Sequence, residues 1–117
     1  MSMTPDILLK ALSDQTRLRC LILLLQEGEL CVCELTYAMG LSQPKISRHL
    51  ASLRDIKVVV DIRAGQWIYY SINTNLPAWA QQILNAALAG SIHEKQYKNN
   101  LKKLKSMANR PENRICA

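Results

Sequence analysis

Apolar residues recur along this chain in two rhythms, and the change from one to the other divides it. Between Asp14 and Gly28, Leu18, Leu21, Ile22 and Leu25 fall on one stripe of a helix. Asp14 can cap its first turn and Gly28 stops it. Thr4 can cap a shorter helix that starts at Pro5. A third helix runs from about Cys31 to Met39, with Leu35 and Met39 four apart and Gly40 just past its end. A fourth opens with Ser42 as N-cap and Pro44 in the first turn, where a missing N–H costs nothing. The period then drops to two. Val58 to Ile62 and Gln66 to Ile72 are rich in β-branched and aromatic residues, and Arg63-Ala64-Gly65 reads as the hairpin tip between them. From Leu76 one long helical segment follows, apolar at Leu76, Trp79, Ile83 and Ala87 and then basic through Lys95, Lys98, Lys102, Lys103 and Lys105.

Four helices, a hairpin and a closing helix are the order of a winged helix-turn-helix, a mainly α fold with a β-hairpin wing. A chain of 117 residues holds one hydrophobic core. Residues 1–108 are assigned to a DNA-binding and dimerisation domain, and 109–117 to a flexible tail carrying Cys116. The net charge of +6 and pI near 9.4 call for a polyanionic partner, nucleic acid or membrane surface. No apolar run reaches the ~20 residues that span a bilayer. The start lacks a basic stretch followed by an apolar one, so a cytoplasmic protein with no membrane partner is expected.

Helix geometry tests the segment from Ser42 to Asp55. At about 100° per residue, Ile46, Leu50 and Leu53 share a stripe facing the core, while Lys45, Arg48 and Ser52 lie opposite, flanked by Gln43 and Ser47. Such a face suits a major groove: Arg and Lys donate to guanine edges or phosphates, Gln pairs with adenine, and Ser reaches either. His49 sits nearer the core edge, where it either touches phosphate or serves packing. Arg63 is either a backbone or minor-groove contact or an ordinary exposed arginine.

The cysteines stand at 20, 31, 33 and 116, a spacing unlike a disulfide framework, and are read as thiols. Cys20, inside Leu18-Arg19-Cys20-Leu21-Ile22, reads as a core residue. Cys31 and Cys33 form a pair of soft ligands at the start of the helix that precedes the reading helix. On one regular helix, residues two apart point roughly 200° from each other, so a shared ion would have to unwind that first turn. The free N–H groups there favour thiolate. Trivalent arsenic and antimony accept thiolates in a pyramid, whereas zinc wants a closed tetrahedron. His49 and His93 lie on different elements and offer no zinc site; cadmium or lead remains open through the same thiols. A rival reading uses the same pair for redox sensing. An enzyme would need a C-x-x-C or an activated nucleophile with its base, and neither is present.

Three blocks in order carry a resemblance over roughly Leu8 to Leu76: Glu29-Leu30-Cys31-Val32-Cys33-Glu34-Leu35, then Leu41 to Arg54, then Gly65-Gln66-Trp67-Ile68-Tyr69-Tyr70. Together they resemble the arsenical-resistance repressors of the ArsR/SmtB family. The resemblance implies a homodimer that binds operator DNA through the helix from Ser42 to Arg54. It also implies release of that DNA when Cys31 and Cys33 take up As(III) or Sb(III) as inducer, with no permanent cofactor. The chain departs from the pattern at Thr36, where such repressors often carry a third cysteine, and at Asp55-Ile56-Lys57, which replaces a glycine-containing turn. The third ligand is assigned to Cys116, of the same or the partner chain, ahead of Cys20 or a small-molecule thiol. Apolar surface on Ile7, Leu8 and Leu12 and on Leu76, Trp79, Ile83 and Ala87 points to a dimer, and hence to an inverted-repeat operator. The basic run from Lys95 to Lys105 adds phosphate attraction or is a solvated helix face.

Overall fold

A computed structural model of the protein describes residues 3–108 and 110. Its elements are α1 (Pro5–Leu12), α2 (Gln15–Glu27), β1 (Glu29–Cys31), α3 (Val32–Met39), α4 (Gln43–Asp55), β2 (Val59–Ala64), β3 (Trp67–Ile72), α5 (Ala78–Ser91) and α6 (Lys95–Lys105). This is a winged helix-turn-helix. None of the described helices is long and apolar enough to cross a membrane.

The helix boundaries follow local chemistry. Asp14 accepts the Arg17 N–H at 3.0 Å, and Ser42 accepts that of Lys45 at 3.4 Å. Thr4 stands at the N-cap of α1, but its hydroxyl bonds the Asp6 carboxylate and leaves the helix N–H groups alone. Gly40 ends α3 at φ 66°, a left-handed turn that a Cβ would penalise, and so sets the sharp corner into α4. After α4 the same backbone sign recurs without glycine: Lys57 holds φ 71° and reverses the chain, while the Val58 N–H closes onto Leu53 O at 3.1 Å. Lysine thus occupies the left-handed position for which a glycine turn is the usual solution.

Three departures from the sequence reading matter for the site. The hairpin is part of a three-stranded antiparallel sheet ordered β1-β3-β2, because Glu29, Leu30 and Cys31 pair with Ser71, Tyr70 and Tyr69. A three-residue strand is too short to display an alternation, so the pattern missed it. Arg63 lies inside β2 opposite Ile68, not at the tip, which is the two-residue Gly65-Gln66 link with Gly65 at φ 62°. Two-residue loops favour glycine there because their tight twist needs positive φ. The closing helical segment is two helices: α5 stops at Ser91, and α6 packs along α3 and α2.

The core sits between α2, α3, α4, α5 and the sheet, built on Leu21, Leu24, Leu35, Ile46, Leu50, Leu53, Tyr70 and Leu84. Leu104 of α6 is fully buried in it, and the Asn100 amide donates to Ala38 O at 3.1 Å, fastening α6 to the end of α3. Leu8 and Leu76, read as surface for a partner, belong to this core. Trp79, Ile83, Ala87, Ile7 and Leu12 are half-buried, and Leu9 is exposed.

Candidate metalloid and DNA site

The thiol pair sits on a junction rather than on a helix. Cys31 ends β1 in extended backbone (φ −82°, ψ 162°) and is the N-cap of α3, so its side chain turns over the helix mouth instead of following the helical screw. Cys33, two residues on, lies in the first turn. Their Cα atoms are 5.4 Å apart and their sulfurs are joined in a disulfide. Two sequence readings are corrected here: the pair is not held as free thiols, and the sulfurs converge without any unwinding of α3, because the 200° argument applies only when both residues are helical. Reduction of that bond leaves two soft donors side by side at a helix N-terminus.

Glu34 braces the junction. Fully buried, it accepts the Cys31 N–H at 2.9 Å through Oε1, the return arm of a capping box. Its Oε2 accepts from Arg110 Nε, and Arg110 Nη2 lies 3.4 Å from Glu27 Oε1. A buried carboxylate needs such a partner. A glutamate three residues past an N-cap was a legible sign of the capping box; Arg110, distant in sequence, carried none.

One open cleft of about 390 Å³ joins the cysteines to α4. Cys31, Val32 and Cys33 line one side, Gln43, Ser47, Ala51 and Arg54 of α4 another, and Gln66, Trp67 and Tyr70 of the wing close it. Arg54 also meets Asp61 of β2 at 3.4 Å, tying the end of α4 to the wing.

On α4 the polar face is laid out as the rotation angle predicts. Gln43, Arg48 and Ser52 are exposed, Lys45 and Ser47 half-buried, and Ile46, Leu50 and Leu53 face inward. The Gln43 amide donates to Ser47 Oγ at 2.9 Å, and Ser52 Oγ donates back to the Arg48 backbone carbonyl at 3.2 Å, while the Arg48 guanidinium is exposed to solvent. His49 is separate: its Nδ1 lies 3.9 Å from Asp14 Oδ1, toward the start of α2. The Arg17 N–H, and after it the nearby His49, hold the Asp14 carboxyl below its ordinary value against partial burial. Arg63 is exposed on β2.

Cys20 is remote in character from the pair. It is buried in the core with its thiol 3.8 Å from Met39 Sδ, and burial pushes its pKa up to about 12. Among the described residues no three His, Cys, Asp or Glu side chains gather as a metal site. Cys116 and the rest of the tail from 111 lie outside the described residues.

Residues 14–59 match the bacterial regulatory protein, arsR family. The arsenic resistance transcriptional regulator ArsR1 of Pseudomonas putida is 43% identical over 98% of this chain and 89% of its own length. The chain belongs to the arsR family. The arsenical resistance operon repressor of Escherichia coli is 48% identical over 71% of each chain. The crystal structure of the AntR antimony-specific transcriptional repressor superposes with a TM-score of 0.62 at 32% identity, covering 72% of this chain and 73% of that one. This arsR-family chain is accordingly a DNA-binding transcriptional repressor and not an enzyme.

Proposed function

We propose that this protein represses an operon by binding an inverted-repeat operator as a homodimer and releases it when the reduced Cys31 and Cys33 bind As(III) or Sb(III). The observation that carries this reading is the cleft shared by Cys31, Cys33 and the α4 residues Gln43, Ser47 and Arg54. A ligand seated on the sulfurs strains the junction of β1 and α3. That junction packs against both α4 and β3, so the strain reaches the DNA-facing helix and the wing together. A coupling of ~1–3 kcal/mol is enough to change operator affinity 5- to 150-fold.

The donor chemistry agrees. Two adjacent thiolates fit a soft pyramidal ion, and Cys116 of the same or the partner chain completes the pyramid, with a small-molecule thiol as its substitute. Cys20, protonated over the whole neutral range, does not compete. In the DNA complex Arg48, Gln43, Lys45, Ser47 and Ser52 face the major groove and Arg63 meets the backbone beside the wing. His49 is assigned through its contact with Asp14 to orienting α4 and to phosphate at most. Half-exposed Trp79 and Ile83 with exposed Leu9 supply apolar surface for the dimer.

The Cys31–Cys33 disulfide favours a second reading, in which two thiols lose two electrons and two protons to an oxidant such as peroxide and the disulfide is the signal. One experiment separates the two. Release of a labelled operator is followed against As(III), Sb(III), Cd(II), Pb(II), Zn(II) and peroxide, with a phosphine reductant present in the metal arms. Release by As(III) or Sb(III) under reductant supports the metalloid reading; release by peroxide alone supports the redox one.

A further inference from the structure

We infer that α6 carries a phosphate-binding site for the operator backbone, centred on Lys103 and held beside the turn of the helix-turn-helix. The inference rests on α4 being the DNA-facing helix, and it adds an element outside the motif. The sequence of α6 has Lys95, Lys98, Lys102, Lys103 and Lys105 and no acidic residue, all five lysines exposed. A solvated helix face would need no particular placement, yet this one is placed. Leu104 anchors α6 in the core and Asn100 bonds Ala38 O, so the helix lies along α3 in a fixed register.

That register puts the Lys103 ammonium 5.3 Å from the centre of the Tyr37 ring and over Gly40, where a Cβ would meet Nζ at 3.6 Å. Gly40 is the corner between α3 and α4, two residues before the Ser42 cap. When a reading helix enters the major groove by its N-terminal end, this corner comes to the groove wall, which is phosphate. The Tyr37 ring, itself partly exposed, steers the long lysine stem toward that position and restricts its rotamers before DNA arrives. A cation so placed neutralises phosphate whatever the base sequence, and it releases counterions when it does.

Lys103→Gln removes the charge and keeps an exposed, helix-compatible side chain. Binding is measured by fluorescence anisotropy across a salt series on the operator and on a scrambled duplex, with Lys103→Arg and Arg48→Ala alongside. The expected result is a salt slope smaller by roughly 0.9 for each phosphate that is no longer neutralised, and several-fold weaker binding at low salt, equally on both duplexes. Lys103→Arg should keep the slope. An unchanged slope in Lys103→Gln overturns the inference, as does a weakening confined to the operator, which would mean that Lys103 only shapes the turn. If Arg48→Ala leaves operator affinity intact, the reading helix itself is misassigned, and the scrambled duplex still reports on Lys103.

Discussion

Cys20 and the Cys31/Cys33 pair carry the same functional group within one small domain, and their surroundings give them opposite chemistry. Cys20 is enclosed by core side chains against Met39, with a thiol pushed up to about 12, and it behaves as a small apolar filler. The pair stands where a strand gives way to a helix. Cys31 is nearly as buried as Cys20, yet its sulfur meets that of Cys33 at the lip of a cleft reaching α4 and the wing. Burial alone therefore does not sort the cysteines. What separates them is whether a second soft donor and an opening share the same place.

The largest expected effect comes from breaking the pair. Cys31→Ser or Cys33→Ser should abolish operator release by As(III) or Sb(III) while leaving operator affinity unchanged, as measured by anisotropy under reductant. Release surviving in both single variants would place the sensor elsewhere. Next in size, Arg48→Ala removes an exposed guanidinium of α4 and should cost about 1–3 kcal/mol of operator affinity, with metalloid binding retained.

Cys20→Ser sharpens the contrast from the other side. A hydroxyl enters a site built for sulfur, so stability should fall by about 1–3 kcal/mol in urea unfolding, while the metalloid response of the folded protein stays intact. A smaller effect tests the cap of α2: Asp14→Ala should cost ~1 kcal/mol. Because the folded Asp14 carboxyl is held below its ordinary value, its contribution is fully present above the unfolded pKa and is lost as pH falls through the lower folded one. The gap between wild type and variant should therefore close on acidification below the ordinary carboxylate range. Smallest of all, Lys57→Gly should leave stability level or raise it by up to about 1 kcal/mol, since glycine accepts φ 71° without penalty.

The parts of the molecule written in local patterns were legible in the sequence. Asp14, Gly28, Gly40 and Ser42 mark helix ends by what their side chains or backbone can do, and Ile46, Leu50 and Leu53 reveal the inner face of α4 by spacing. Features made by pairing across the chain were not. Strand β1 exists because β3 offers it hydrogen bonds, and that strand is what takes Cys31 off the helix and turns the two sulfurs together. The break after Ser91 is marked locally only by Gly90, which the helix still includes; α6 leaves the line of α5 because Leu104 and Asn100 find partners on the far side of the domain. Arg110 reaches Glu34 by the same logic.

The decisive question is whether a soft metalloid sits on Cys31 and Cys33. X-ray absorption at the arsenic edge, on the reduced protein loaded with As(III) and without added thiol, answers it. Sulfur-only coordination is expected in the wild type, lost in Cys31→Ser/Cys33→Ser, with Cys116→Ser exchanging one sulfur for oxygen. An unchanged sulfur shell in Cys31→Ser/Cys33→Ser would contradict the assignment of the pair as the sensor.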